Sequence, residues 1–289
     1  MLINLKLPFA QCLTMKATVI ATICLSMISQ TFAVEEPPAS ELATSKRTSA
    51  QTVVIVHGAW GGAHQWKDVA AALEQTGAAV VHRVTLTGQG ERVHLASPDN
   101  DLSTHIQDVI NVIKFEQLKD VVLIGHSYGG AVISGVANQI SETLSQLIYL
   151  DSNLLEDGET FFSLMPEKRD HYTRRASEDG DGWLIPIDWE QGDEPADVPH
   201  QLKTLTSKLT LDNPKRLEIP SAYWLFADGS SPEKDERFMF LQRAKALKWQ
   251  TRVFSWGHNP QKDQPKELAE ELSKAIASQA SGQNREPKH

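Results

Sequence analysis

Ser127 lies in Gly125-His-Ser-Tyr-Gly129, between the aliphatic run Val121–Ile124 and a small-residue stretch reaching Ala137. A serine hydroxyl is a weak nucleophile, and it attacks a carbonyl only when a base takes its proton and an acid orients that base. The pattern Gly-x-Ser-x-Gly arises by chance in roughly one chain in ten of this length, so its context decides its value. Here the context is a strand arriving and a helix leaving. A turn that sharp strains the serine backbone and tolerates only glycine-sized neighbours, at Gly125 and Gly129. It also lifts the hydroxyl above the sheet edge, where the free N–H groups of the first helical turn favour negative charge.

The base and the acid must follow the serine in the order Ser, Asp or Glu, His. Of ten histidines, only His171, His200, His258 and His289 come after Ser127. His258 sits in Ser255-Trp-Gly-His-Asn-Pro260, after one apolar run and ahead of a helical one, and is the expected base. For the acid, Asp228 ends the run Ser221–Phe226 and is preferred. Asp151 also ends a strand, the one after the nucleophile strand, and remains the alternative. Asp235 and Glu233 fall where a helix starts, and capping accounts for them. The charge developing on a substrate carbonyl needs two N–H donors. Tyr128, which follows the serine, supplies one, and Ala59 in His57-Gly58-Ala59-Trp60 supplies the other. Gly58 permits the close approach, and His57 is expected to hold this loop by a side-chain hydrogen bond.

The elements that must carry these residues alternate. Thr52–Gly58, Ala78–Leu86, Val121–Ile124, Gln146–Leu150, Ser221–Phe226 and Gln250–Phe254 read as strands, most of them short continuous apolar runs typical of a doubly covered parallel sheet. Helices are expected over Trp66–Gln75, from Ser103 as its capping residue, from about residue 129, over Glu233–Leu247 and over Pro265–Ala277. This is one α/β domain, residues 51–279, around a mostly parallel sheet with helices on both faces. Residues 152–218 break the alternation. They are rich in Pro, Gly and charge but carry dispersed aromatics, which marks an inserted lid rather than a disordered linker. Trp60, Phe161 and Trp183, with Phe162 and Trp189, are candidates to line an apolar pocket or to form the lid's own small core.

The remaining sequence bounds the setting. The chain has 289 residues and a formal net charge of −9, which argues against nucleic acid and anionic membranes as partners. Residues 1–33 lack acidic side chains and carry an apolar run after Lys16 that ends in Thr31-Phe32-Ala33, the pattern of a cleaved signal peptide. The run is shorter than the roughly 20 apolar residues that span a bilayer. Export to the periplasm or medium is therefore expected, with residues 34–50 as a linker and 280–289 as a disordered tail. Both cysteines, Cys12 and Cys24, lie in the leader, so the mature chain has no disulfide or cysteine metal site. No phosphate loop is present either, and neither cofactor nor metal is expected.

The stretches VVIVHGAWGGAHQW, TLTGQGERVHLASP, VVLIGHSYGGAVISGVA, LIYLDSNLLEDGE and SWGHNP resemble the α/β-hydrolase superfamily. The likeness is greatest to the branch that holds plant methyl-ester esterases, hydroxynitrile lyases and bacterial esterases of small or aromatic esters. It implies the α/β-hydrolase fold, Ser127 as nucleophile, His258 as base, Asp228 as acid, and Ala59 and Tyr128 as oxyanion donors. The lyase members carry a threonine after the first-loop histidine and a lysine after the catalytic one. Gly58 and Asn259 stand at those positions here, so the resemblance implies a serine carboxylesterase. A lyase and a slow-turnover binding relative are the alternatives.

Overall fold

β1 (Gln51–Val56) shows why the apolar runs are continuous. Val53 and Ile55 pack into one buried cluster, and Val54 and Val56 into another. Successive strand side chains point to opposite faces, and here helices cover both faces. The computed structural model in which this is seen describes residues 50–283 except 78, 193 and 230. The expected leader (1–33), the linker as far as residue 49 and residues 284–289 of the tail lie outside the described residues.

The chain continues through α1 (Lys67–Gln75), β2 (Ala79–Val84), α2 (Leu102–Phe115), β3 (Val121–His126), α3 (Gly129–Ile140) and β4 (Leu144–Leu150). An insertion follows, with α4 (Phe161–Leu164), α5 (Pro166–Asp179), the two-residue strands β5 (Leu184–Ile185) and β6 (His200–Gln201), and α6 (Leu202–Thr206). The chain then returns to the main sheet with β7 (Ser221–Phe226), α7 (Phe238–Ala246), β8 (Gln250–Phe254), α8 (Pro260–Asp263) and α9 (Pro265–Gln283). Six strands form one sheet in the order β2-β1-β3-β4-β7-β8, and each neighbouring pair is parallel. Strand order reverses beside β1, and in such sheets the crevice outside the strand carboxyl ends is where ligands bind.

The two faces are covered differently. Trp66, Val69 and Leu73 pack with Leu268, Leu272 and Ile276 of α9 beneath Ile124 and Trp224. Helices α2, α3 and α7 cover the other face through Ile110, Val132 and Phe240 against Leu123, Tyr149 and Leu225. Phe162, Met165, Ile185, Leu205 and Leu209 of the insertion join this second cluster. The insertion therefore shares the core of the sheet instead of building one of its own. Within the insertion, β5 and β6 pair as a short antiparallel hairpin.

Three element ends differ from the sequence reading. The N-cap of α2 is Asp101, whose carboxylate accepts the Thr104 N–H at 3.0 Å, while the Ser103 hydroxyl donates to that same carboxylate. Asp101 has the extended backbone a cap needs, and Ser103 is already in the first turn. The helix expected from Glu233 begins only at Phe238, after a single tight turn over Pro232–Lys234. At the other end, α9 runs to Gln283, into the segment expected as tail. At the sheet edge, the Arg252 guanidinium of β8 lies over the rings of Phe254 and Trp224, 4.4 and 5.2 Å from their centroids. It also pairs with Glu271 of α9.

Candidate active site

Ser127 occupies the turn between β3 and α3 with φ 52°, the left-handed region that a serine rarely adopts. Its N–H donates to the Leu150 carbonyl at 3.1 Å, and its own carbonyl accepts from Gly130 and Asn153. Those bonds hold the strained residue in place. A Cβ at Gly129 would stand 2.7 Å from the carbonyl oxygens of Val56 and His57, and one at Gly125 would stand 2.7 Å from the Gly129 oxygen. The two glycines are thus required by how closely β1, β3 and α3 approach.

His258 follows β8 on the same edge. Its Nε2 is 3.1 Å from the Ser127 Oγ, and its Nδ1 is 2.5 Å from Oδ2 of Asp151. The Nδ1 proton donates to the carboxylate, which leaves Nε2 as the acceptor facing the serine. Beneath it lies His126, whose Nε2–H donates to the His258 carbonyl at 2.8 Å, the two rings 4.7 Å apart.

The acid beside His258 is Asp151, not the preferred Asp228. Strands β4 and β7 are neighbours, so both aspartates leave adjacent strand ends, and local backbone decides between them. Asp151 has φ 46° and is 1% exposed; its Oδ1 accepts the Phe226 N–H at 3.1 Å while Oδ2 meets the imidazole. After β7, Ala227 still bonds to Phe254, and the chain then turns outward, leaving Asp228 exposed. Asp235 accepts the N–H of Arg237, a local turn contact, and Glu233 is exposed.

Burial and then the neighbouring Arg237 hold the His258 pKa well below 6.5, which keeps the imidazole unprotonated. Burial pushes the Asp151 carboxyl up, against the pull of Arg237 and the Phe226 N–H. Arg237 Nε stands 3.7 Å from Oδ2 of Asp151, and its Nη1 pairs with Glu236 at 3.0 Å. Burial lowers His126 to about 3 and both His57 and His105 to about 4. None of these three is placed to take the serine proton. His57 accepts the Leu86 N–H at 3.1 Å and donates to the Gly58 carbonyl, tying the loop after β1 to the end of β2. His105 accepts the Tyr128 hydroxyl at 2.9 Å and donates to the Thr87 carbonyl at 2.9 Å.

The backbone N–H groups of Ala59 and Tyr128 donate to no other group among the described residues. Both residues line a cavity of about 380 Å³ that opens onto Ser127 and His258. Unpaired donors inside a protein are rare unless a ligand or water meets them. The cavity walls correct the pocket reading. Trp60 and Phe161 line it, and so does Trp189, whereas Trp183 does not. Trp183 stands at the head of β5, where its N–H bonds to Gly180 and its carbonyl takes the Leu202 N–H. Phe162 is buried in the core. The sequence reading missed Tyr172, Arg237, Lys168, Asp197 and Lys262 as walls. For Tyr172 a signal existed, since α5 is almost wholly polar and Tyr172 precedes its one buried residue, Ala176, by a helical turn.

The model of the alpha/beta hydrolase family matches residues 53–271. The chain belongs to that family. A carbendazim-hydrolyzing esterase of Nocardioides sp. (strain SG-4G) is 36% identical over 241 residues, 76% of this chain and 97% of the relative. Among solved structures, an extracellular alpha/beta-hydrolase from a Paenibacillus species superposes with TM-score 0.66 at 21% identity, over 78% of this chain and 98% of its own. That protein is described as sharing structural and functional homology with tobacco salicylic acid binding protein 2. A methylesterase from Arabidopsis superposes with TM-score 0.60 at 20% identity, over 79% and 99% of the two chains. Both structural likenesses establish the fold; the sequence relative supports an ester-hydrolysing enzyme.

Proposed function

We propose that this hydrolase is an exported serine carboxylesterase acting on small or aromatic esters through an acyl-enzyme. The observation that carries the reading is the hydrogen-bonded line Ser127 Oγ, His258, Asp151, set beside two unpaired N–H groups. In this mechanism His258 Nε2 takes the Ser127 proton as Oγ attacks the ester carbonyl. The oxyanion accepts from Ala59 and Tyr128, where fixed dipoles stabilise developing charge without reorganising. His258 then returns the proton to the departing alcohol, and a water repeats the sequence to release the acid. Asp151 holds the tautomer and stabilises the transient imidazolium. The low pKa of His258 keeps the base unprotonated before each nucleophilic attack.

Gly58 favours hydrolysis over the lyase alternative on steric grounds. A Cβ there would stand 3.0 Å from the Ser127 Cβ and 3.2 Å from His126 Nδ1, so a threonine would press on the nucleophile. Asn259, uncharged, lines the cavity in the place of the lyases' lysine. The aromatic walls support aromatic ester substrates, and a relative named for carbendazim hydrolysis supports an esterase. The leader-like residues 1–33 support export, which fractionation of expressing cells tests directly.

The enzyme assay is a panel of p-nitrophenyl and methyl aryl esters with a fluorophosphonate probe. Many turnovers, with covalent labelling that Ser127→Ala abolishes, are expected. A single stoichiometric burst would instead make the protein a slow-turnover binder, and undiminished hydrolysis by Ser127→Ala would overturn the mechanism.

A further inference from the structure

Trp60 carries a feature that neither the fold nor the line of acid, base and nucleophile demands. It has φ 62°, a left-handed conformation that is costly for a bulky aromatic residue. It directly follows Ala59. Something must hold it there, and the sheet does not, since among the described residues every hydrogen bond of Trp60 goes to the insertion. The Trp60 carbonyl accepts the Val198 N–H at 2.8 Å, and the indole N–H donates to the Ile185 carbonyl at 3.2 Å. The Trp60 backbone N–H donates to Nδ1 of His200 at 3.4 Å.

His200 is fully buried, and its protonation is set by its other nitrogen. The Thr204 hydroxyl donates to the Gln201 carbonyl at 2.8 Å, so at 2.8 Å it accepts from His200 Nε2–H. Nδ1 is therefore left as the lone-pair side that faces Trp60. If the Trp60 peptide rotated, its N–H would turn toward the cavity and the neighbouring Ala59 donor would move away from Ser127.

We infer that His200 is a positioning residue: with the β5–β6 hairpin it pins Trp60 in its left-handed conformation and thereby aims the Ala59 N–H at the oxyanion. The inference rests on the esterase reading above and adds that the insertion completes the oxyanion hole as well as covering the substrate. One half of the hole, at Tyr128, is then fixed by α3, and the other half by a segment more than a hundred residues away in sequence.

The test compares His200→Leu, which removes the acceptor, with His200→Asn, whose side-chain oxygen restores one near Nδ1. Removing an oxyanion donor outright costs about 10²–10³ in kcat, and misaiming one is expected to cost about tenfold to a hundredfold. His200→Leu should lower kcat on p-nitrophenyl acetate by that factor with KM changed less than about threefold. The Ki of phenylboronic acid, which becomes tetrahedral on Ser127, should rise in parallel, while the Ki of benzyl alcohol, which makes no oxyanion, stays constant. His200→Asn should recover most of the loss. Should His200→Leu not fold, Trp60→Phe removes the indole N–H bond to Ile185 while keeping an aromatic ring on the cavity wall, and it should show a smaller parallel change in kcat and boronate affinity. Equal weakening of both inhibitors reports a collapsed pocket and overturns the inference. So does a folded variant with unchanged kcat and boronate affinity while the wild type turns over. A wild type that neither hydrolyses esters nor binds the boronate overturns the esterase reading and this inference with it.

Discussion

The two walls of the active-site cavity are built by opposite logics. On the sheet side, Ser127, Asp151 and His258 leave β3, β4 and β8 within one edge, and two of the three sit in left-handed backbone held by neighbouring strands. On the insertion side, Tyr172, Trp189 and Lys168 come from a polar helix and a long connection, and ion pairs such as Lys168–Glu236 and Lys262–Asp197 ring the opening. The sheet side fixes distances between reacting atoms. Apart from the hairpin that holds Trp60, the other side offers apolar and charged surface that tolerates change without moving those atoms. In the proposed esterase, chemistry is thereby assigned mainly to the sheet and selectivity mainly to the insertion.

That division breaks down if sheet-side and insertion-side substitutions have similar effects. Ser127→Ala or His258→Ala should lower kcat by several orders of magnitude, because such residues act as a unit. Asp151→Asn is expected to cost about 10⁴ in kcat, since the neutral amide favours the wrong imidazole tautomer. Asp228→Asn should leave kcat within about twofold, and steady-state kinetics of the pair reads the difference directly. An active Asp151→Asn would return the acid to another carboxylate.

Arg237→Gln tests the electrostatics between the two walls. Arg237 lowers the His258 pKa, so its removal should raise that value. The base must be unprotonated, hence the acid limb of the kcat/KM profile should move to higher pH. Stability gives another pH measurement. His57, His105 and His126 are held near 4, 4 and 3 against 6.5 when exposed. Their neutral burial is fully accommodated above pH 6.5. As pH falls from there toward 4, the unfolded chain binds protons that the folded one does not, and Tm should drop progressively. A modest change confined to substrate binding is expected from Trp189→Ala, on the cavity rim. It should raise KM for bulky aryl esters by about threefold to tenfold and leave p-nitrophenyl acetate unaffected.

Much of the sheet side was legible in the sequence because strand ends leave strong marks. Gly125 and Gly129 flank Ser127, and His258 is placed by the apolar run before it. The choice between Asp151 and Asp228 was not legible, because both end adjacent strands and only the backbone angle at Asp151 separates them. His126 was hidden inside the serine motif, where it reads as a filler position. The pocket aromatics were harder still. Trp183 and Trp189 are six residues apart with similar polar surroundings, and their different fates are set by the β5–β6 hairpin, two residues per strand. Pairings that short carry almost no periodic signal.

The placement of Arg252 on β8 bears on solubility. A terminal parallel strand offers a row of unpaired backbone groups to any passing chain, and an apolar, flat edge invites stacking of one molecule on the next. Here a second strand arriving beside β8 would meet a strand whose face carries a guanidinium resting on Trp224 and Phe254 and tethered to Glu271. The same side chain that finishes the aromatic packing of one sheet face thus also puts a charge beside one open edge, a placement that disfavours edge-to-edge pairing there.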